Sequence, residues 1–257
     1  MGGDKIDLYK RFSILFCTIF LLLILQGTVA AESNYTVDYS TYLGDKVVDE
    51  ARDVYVDDSG YIYVTGSTHV NGSKDVFVTK FNVTREVIYH TILTETSGDD
   101  WGHRIVADGD GYAYVVGEIN HDGLKVADAF ISKIDPSGKE VKRVYIGGSG
   151  YDVAKGLAID YEGNIYVSGY TISTVLNVSE LGGGTARVPG TNPNATPLTD
   201  WTYHGGYDAF LARFDQDLNP VNLRYFGDHG TTTARVSPLT MQVTYTLRDT
   251  PTQMTFQ

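Results

Sequence analysis

Cysteine is almost missing from this chain. The only one, Cys17, lies inside an apolar run near the N-terminus, so disulfides and thiolate metal sites are excluded from the rest of the sequence. Basic residues are also scarce, because 20 Lys and Arg stand against 32 Asp and Glu, and the formal net charge is −12. Without a basic stripe to neutralise phosphates, the composition argues against nucleic acid and anionic membranes as partners.

A long membrane-spanning run is missing as well. The apolar run over residues 12–25 has 14 residues, whereas a spanning helix needs about 20. Lys5, Lys10 and Arg11 precede this run, and small residues follow it at 27–31. Because this order is typical of a secretory signal, we expect residues 1–31 to be a cleaved signal peptide, with an uncleaved anchor as the alternative. The mature chain is then expected to be secreted or held at the cell surface, with no membrane segment.

Linear catalytic motifs are also lacking. The sequence contains no His-Glu-x-x-His, Gly-x-Ser-x-Gly, phosphate loop or dinucleotide fingerprint. Its six histidines are scattered without the spacing of metal ligands. We therefore expect a protein that is not an enzyme and that carries neither a metal nor another cofactor.

Glycosylation motifs, in contrast, are present. Five Asn-x-Ser/Thr sequons occur, at Asn34, Asn71, Asn82, Asn177 and Asn194. Each motif is weak by itself, and a chain rich in Asn, Ser and Thr is the alternative explanation. Five of them in an exported chain predict a glycosylated surface protein.

The most informative feature is an internal repeat with a period near 50 residues. An Asp-x-x-Gly turn followed by Tyr-Val recurs three times, and its glycines, Gly60, Gly111 and Gly163, lie 51 and 52 residues apart. A second set of repeated residues consists of Asp75, Asp128 and Asp208, each two residues before a phenylalanine. A fixed period of this length indicates one supersecondary unit stacked several times.

Each unit reads as four antiparallel strands, because apolar residues alternate between clusters of Gly, Asp, Asn and Ser. The predicted fold is all-β, a propeller-like array of about three four-stranded blades plus a terminal strand, incomplete or open. The predicted repeat domain covers residues 32–230, with blades at about 51–93, 103–147 and 155–227. Residues 173–204, rich in Gly, Pro, Asn and Thr, are expected to be a loop insertion in the third blade.

The repeat is similar to a known family. The segment 39–44 (Tyr-Ser-Thr-Tyr-Leu-Gly), the repeated hairpin and the segment 205–210 (Gly-Gly-Tyr-Asp-Ala-Phe) resemble the SBBP-type β-propeller repeat over about residues 39–230. The resemblance implies an exported protein, often adhesive or part of a surface layer. It brings no catalytic motif that can be transferred to this chain.

The sequence does not determine how the propeller closes. The repeated motifs do not recur after Gly230, so residues 231–257 are expected to be a divergent tail or a degenerate fourth blade. Propellers have about 4–8 blades, which three units do not reach. The chain is therefore expected to be an open arc or a piece of a longer surface protein, with a homodimer of six blades or further blades from a longer parent as alternatives.

Repeated residues are expected to have a structural role in every blade. This applies to the turn glycines and to Asp75, Asp128 and Asp208. In the Asp108–Gly111 turn, calcium binding is an alternative to plain turn chemistry.

Function is expected where the repeats differ, on the face formed by the loops before the first strand and after the second strand of each unit. The candidate ligand-binding residues on this face are aromatic, acidic or histidine: Asp99, Trp101, His121, Asp122, Trp201, Tyr203 and His204. Such a face suits carbohydrate or surface-protein recognition. We expect a non-catalytic binding, adhesion or structural module; a propeller hydrolase or lyase acting on a glycan, or a fragment of a larger surface protein, are the alternatives.

Overall fold

The computed structural model describes residues 48–93, 98–120, 127–180, 185–186, 206–226, 234–236, 242–247 and 250–255. The chain divides into two units between Tyr42 and Leu43, and the first unit lies outside the described residues. Every regular element within the described ranges is a β-strand. The described part of the chain contains no helix of a length and hydropathy suited to crossing a bilayer.

Three four-stranded antiparallel sheets follow the repeat, and we call them blades 1, 2 and 3. Blade 1 consists of β1 (Glu50–Val56), β2 (Ile62–Val70), β3 (Ser73–Phe81) and β4 (Val87–Leu93). Blade 2 consists of β5 (Trp101–Ala107), β6 (Ala113–Asn120), β7 (Ala127–Ile134) and β8 (Glu140–Gly147). Blade 3 consists of β9 (Asp152–Ile159), β10 (Ile165–Thr171), β13 (Asp208–Phe214) and β14 (Pro220–Phe226). The all-β prediction and its twelve blade strands are confirmed, and within the described ranges no sheet closes on itself.

The hairpin between the first two strands of each blade has the same construction. In blade 2, Asp108 accepts hydrogen bonds from the amides of Asp110 at 3.1 Å and Tyr112 at 2.9 Å. Its other carboxylate oxygen accepts the Tyr114 hydroxyl at 3.0 Å. Gly111 takes a positive φ of 84°, which favours glycine. Blades 1 and 3 repeat these contacts with Asp57 and Asp160, so the repeated motif fixes the register locally.

Two apolar cores lie between consecutive blades. On one face of each blade, the third strand presents a phenylalanine: Phe77 in blade 1, Phe130 in blade 2 and Phe210 in blade 3. We call this the Phe face. Phe130 packs against blade 1 in one core, and Phe210 packs against blade 2 in the other. The Phe faces of blades 2 and 3 therefore each cover the opposite face of the preceding blade.

The Phe face of blade 1 has no preceding blade among the described residues. Its centre is a small cluster of Val64, Phe77 and Phe81 with Ile62 packed against it. The cross-strand register places four further apolar residues on the same face. They are exposed by 38 to 60%: Val54, Val56, Val87 and Ile92. Blade 1 thus retains an apolar face of the kind that blades 2 and 3 bury.

The insertion in the third unit departs from its prediction. Within it, β11 (Asn177–Glu180) and β12 (Thr185–Ala186) form strands, so the prediction of a loop throughout is wrong. Strand β11 pairs antiparallel with β8, from Asn177 opposite Gly147 to Glu180 opposite Val144. An outer strand leaves a row of backbone groups unpaired. The insertion satisfies this edge and extends the sheet of blade 2 to six strands.

The tail forms a fourth, three-stranded antiparallel sheet of β15 (Ala234–Val236), β16 (Gln242–Leu247) and β17 (Thr250–Thr255). Strand β15 lies beside the first three strands of blade 3. The first strand of blade 2 lies in the same way beside blade 1, and that of blade 3 beside blade 2. This is the placement that a degenerate fourth blade would have.

Candidate site on the inner strands

The first strands of the three blades, β1, β5 and β9, each carry one basic residue at the same repeat position. These residues are Arg52, His103 and Lys155, and each lies eight residues before its hairpin glycine. Because β5 contacts β1 and β9 contacts β5, we call these three strands the inner strands. The repeat therefore brings three bases together that are far apart in sequence.

A β-bulge lies at each of the three positions. In blade 2 the pairing passes from Gly102 opposite Gly117 to Arg104 opposite Val116, which leaves His103 as the extra residue. Arg52 and Lys155 are the extra residues of the equivalent bulges in blades 1 and 3. A bulge turns a side chain away from the regular pleat and is common beside functional sites. The fold thus supplies the same bulge three times, and the sequence places a different base on each.

The three bases meet in one polar network. Nη1 of Arg52 lies 3.1 Å from Nδ1 of His103, and Nε2 of His103 lies 3.1 Å from Oε1 of Glu118. Nζ of Lys155 lies 2.7 Å from the same Nε2. The hydroxyl of Tyr151 donates to Oε2 of Glu118. We call these five residues the inner-strand network; it connects all three blades.

Burial makes this network electrostatically unusual. The side chains of His103 and Glu118 are 5% and 7% exposed. Burial lowers the pKa of His103, and the charges of Lys155 and Arg52 lower it further, against the opposing hydrogen bond to Glu118. Burial likewise lowers the pKa of Lys155. For Glu118 burial acts to raise the pKa, but the hydrogen bonds from His103 and Tyr151 outweigh it, so that the pKa is lowered.

Two of the predicted loop-face residues are described, and they lie together. Oδ1 of Asp99 accepts the backbone amide of Lys74 at 2.9 Å, and Nζ of Lys74 lies 5.6 Å from the ring centroid of Trp101. Trp101 is also directly opposite Glu118 in the strand register, so this end of the predicted face adjoins the inner-strand network. The other five predicted residues lie outside the described residues: His121, Asp122, Trp201, Tyr203 and His204.

The repeated aspartates at the start of the inner strands connect the ends of neighbouring strands through hydrogen bonds. Asp100 accepts the amide of Asn120 at 2.9 Å, and Asp152 accepts the amide of Gly148 and the hydroxyl of Ser173, both at 2.8 Å. Among the predicted structural aspartates, Asp75 and Asp208 are fully buried at the start of their strands, and Asp128 is half-buried. These carboxylates recur at the same positions of the repeat in different blades, which agrees with the structural role predicted for them.

The turn at Asp108 was the candidate for calcium. Both oxygens of its carboxylate are engaged by backbone amides and by Tyr114. Within the described ranges, no group of three or more His, Cys, Asp or Glu is placed to hold a metal ion. The described contacts are those of a turn.

Three of the five sequons fall in the described residues. Asn71 is exposed in the turn between β2 and β3, with a φ of 54°. Asn82 begins the next turn, where its side chain accepts the amides of Thr84 and Glu86 at 2.9 Å. Asn177 opens β11 and is half-buried. Asn34 and Asn194 lie outside the described residues.

The inner-strand network was missed by reasoning from the sequence, which placed function on the loops. One signal was available, because Arg52, His103 and Lys155 keep a constant distance from the hairpin glycine while their identity changes. Glu118 and Tyr151 gave no such signal, since Glu118 joins the network through its contact with His103 on the neighbouring strand, and Tyr151 joins it through its contact with Glu118.

Comparison with known proteins agrees with the architecture. Three segments match the family model described as a beta-propeller repeat, SBBP: residues 38–72, 88–125 and 141–177. The regulatory protein FlaEY of Caulobacter vibrioides is 27% identical over 210 residues, which cover 76% of this chain and 19% of that protein. The chain thus spans about a fifth of the length of this relative. Through these three matches, the chain carries SBBP-type β-propeller repeats.

Proposed function

We propose that this chain is a non-catalytic binding module of an exported, glycosylated cell-surface protein, and that carbohydrate or another surface protein is its partner. The inner-strand network carries the proposal. Three bulges at one repeat position bring different bases together, which an exclusively structural repeat does not require. The signal-like N-terminus and the sequons support the location.

The hydrogen bonds of His103 favour binding over catalysis. A general base needs a lone pair within reach of the proton that it removes. Nδ1 of His103 lies against the guanidinium of Arg52, and Nε2 lies against Glu118 and Lys155. Both ring nitrogens are thus engaged. The relative from Caulobacter vibrioides bears a name that gives a regulatory role and no reaction.

Binding and turnover are separated by one experiment. The chain, purified from an exporting host, is incubated with a panel of neutral and acidic oligosaccharides, and both retention and new products are measured. Retention without product is the expected result. Formation of product that is lost in His103→Gln would overturn the proposal in favour of a glycan hydrolase or lyase.

We also propose that the Phe face of blade 1 is covered by a second copy of this chain. The equivalent faces of blades 2 and 3 are each buried against a blade of the same repeat, so a blade is the partner that this surface fits. Val54, Val56, Val87 and Ile92 remain exposed on blade 1. Two copies joined in this way would place six or more blades side by side, which lies in the range of closed propellers.

A further inference from the structure

We propose that the inner-strand network binds an anionic oxygen group, a carboxylate or a sulfate, carried by an acidic sugar. This inference deepens the proposed function, on which it rests, by naming the chemical class of the ligand. Two features of the molecule support it: the hydrogen-bond donors and acceptors of the network, and the tyrosines beside it.

Arg52 determines which nitrogen of His103 carries the proton. A guanidinium can only donate, so Nδ1, at 3.1 Å from Nη1 of Arg52, must accept. In a neutral imidazole the proton then lies on Nε2, which donates to Glu118 at 3.1 Å. This tautomer satisfies the contact between Arg52 and His103 and the contact between His103 and Glu118 together.

In this tautomer Lys155 has no acceptor among the residues that the structure describes. Its Nζ lies 2.7 Å from Nε2 of His103, but an ammonium only donates, and Nε2–H offers no lone pair. Moving the ring proton to Nδ1 would satisfy Lys155 but would set Nδ1–H against Arg52 and leave Oε1 of Glu118 without its donor from His103. One imidazole cannot serve both cations.

Arg52 adds a second donor of the same kind. Its Nε is buried and has no hydrogen-bond partner among the described residues. A buried donor without an acceptor is unfavourable, because it has lost its hydrogen bonds to water without replacement. An anionic oxygen group at this edge would accept from Arg52 or Lys155 and supply what the network lacks.

The local charge also favours an anion. Three cations lie at this edge, since the Arg104 guanidinium donates to the His103 carbonyl at 2.9 Å and its charge acts on Lys155. Inside the network, Glu118 is the only carboxylate, while Glu50 pairs with Arg52 at its exposed side, at 3.1 Å. This contrasts with a chain whose net charge is −12.

An aromatic wall adjoins the network and points to a sugar. Tyr170 and Tyr207 pack edge to face with ring centroids 5.4 Å apart. Both lie close enough to Tyr151 to affect its electrostatics, and Tyr207 is 42% exposed. Amphipathic rings with a polar tip can pack against a sugar and hydrogen-bond to it. The cations would then hold the acidic group, and the tyrosines the ring that carries it.

Isothermal titration of the full chain at fixed ionic strength tests this, with glucuronate, glucose 6-sulfate and glucose as probes. The charged sugars are expected to bind at least tenfold more tightly than glucose. Comparing the affinities of glucuronate and glucose 6-sulfate shows whether a carboxylate or a sulfate is preferred. Lys155→Gln and Arg52→Gln should each weaken binding about tenfold. Arg52→Lys, which keeps the charge, should retain part of the affinity for the charged sugars.

Lys139→Gln is the matched control, because it removes the same charge from an exposed turn between β7 and β8. It should leave binding unchanged. An NMR titration that follows the ring protons of His103 gives a second readout, since a bound anion should raise the pKa of this imidazole. Unfolding temperatures of all variants are compared first, so that a misfolded variant is not counted.

Two results would overturn the anion site: failure of both charged sugars to bind, or equal binding by Lys155→Gln and the unchanged chain. If neutral oligosaccharides are retained in either case, the binding module stands and only its ligand class is wrong. Conversion of the sugars to products would instead overturn the proposed function itself.

Discussion

The carbonyl oxygen of Trp101 lies 1.8 Å from the point where a Cβ on Gly117 would stand. The equivalent glycines of blades 1 and 3 have the same relationship to the opposite strand, also at 1.8 Å. Each of these glycines pairs beside the bulge of its inner strand. This glycine, which stands two residues after the Tyr-Val pair of each repeated hairpin, therefore permits the bulge that presents Arg52, His103 or Lys155.

Gly117→Ala tests this relationship. The added methyl group meets backbone atoms, which cannot move aside like a flexible side chain, so the bulge in β5 must distort. Overpacking of this kind destabilises a protein by about 1–3 kcal/mol. We expect a loss of this size in the free energy of unfolding, measured with urea, and a change in the His103 NMR resonances.

Gly109→Ala is the control for that substitution. No heavy atom lies within 4 Å of the position that its Cβ would take, and its φ is not in the left-handed region. It should change the free energy of unfolding by less than about 0.5 kcal/mol. Equal destabilisation by both variants would show that the bulge does not depend on Gly117.

Asp108→Ala should destabilise the hairpin of blade 2. The substitution removes the acceptor for two backbone amides and for the hydroxyl of buried Tyr114. A loss of about 1–3 kcal/mol in the free energy of unfolding is expected. Asp110→Ala, in the same turn, removes an exposed carboxylate and should have little effect.

The same pair of variants tests calcium at this turn. A bound ion would raise the unfolding temperature as its concentration rises. We expect no change between excess chelator and millimolar calcium in the unchanged chain. A rise in unfolding temperature with calcium that disappears in both variants would contradict the turn interpretation.

The blades could be predicted from the sequence because their information is local. A turn such as Asp108–Gly111 fixes a hairpin through contacts four to six residues apart, and alternating apolar residues then specify which face is buried. The strand in the insertion was missed for the opposite reason. Residues 177–180 form a strand because β8 offers them an unpaired edge, and their own composition does not show this.

The inner-strand network could not be read as a linear motif. Its contacts join Arg52 to His103 and His103 to Lys155 across 51 and 52 residues, and they exist only because the blades stack in register. The role of Glu118 could not be predicted, because a charged residue in the alternating pattern of a strand normally faces solvent or has a structural role. Only the comparison of repeats at equal distance from the hairpin glycine would have indicated the site.

Stability should depend on pH through His103. Burial lowers its pKa below the ordinary value near 6.5, so below pH 6.5 the unfolded chain takes up a proton that the folded chain resists. The stabilising contribution is therefore present above pH 6.5 and is lost as the pH falls toward the lowered pKa. The charged groups that contact the ring are Arg52, Glu118 and Lys155. Beyond them, Tyr151 donates to Glu118, and Arg104 donates to the backbone carbonyl of His103.

Urea unfolding at pH 7.5 and pH 5.5 measures this dependence. The unchanged chain should lose stability between the two values, and His103→Gln should lose less. His69→Gln is the control, because that side chain contacts the backbone carbonyl of Val48 near the end of β2 and lies outside the inner-strand network. The same pH dependence in all three proteins would show that His103 does not contribute to it.

Ile92→Asp should separate the two copies proposed to meet at the Phe face of blade 1. Ile92 lies opposite Phe77 in the register and is 38% exposed, so a carboxylate there would be desolvated against apolar groups on association. Light scattering on a size-exclusion column should give twice the mass of one chain for the unchanged protein and the mass of one chain for the variant. Tyr161→Asp, at a turn residue that is 96% exposed, should leave the mass unchanged. Because the apolar rim of this face is already accessible in the single chain, a monomeric unchanged protein at micromolar concentration would show that the face does not bind a second copy.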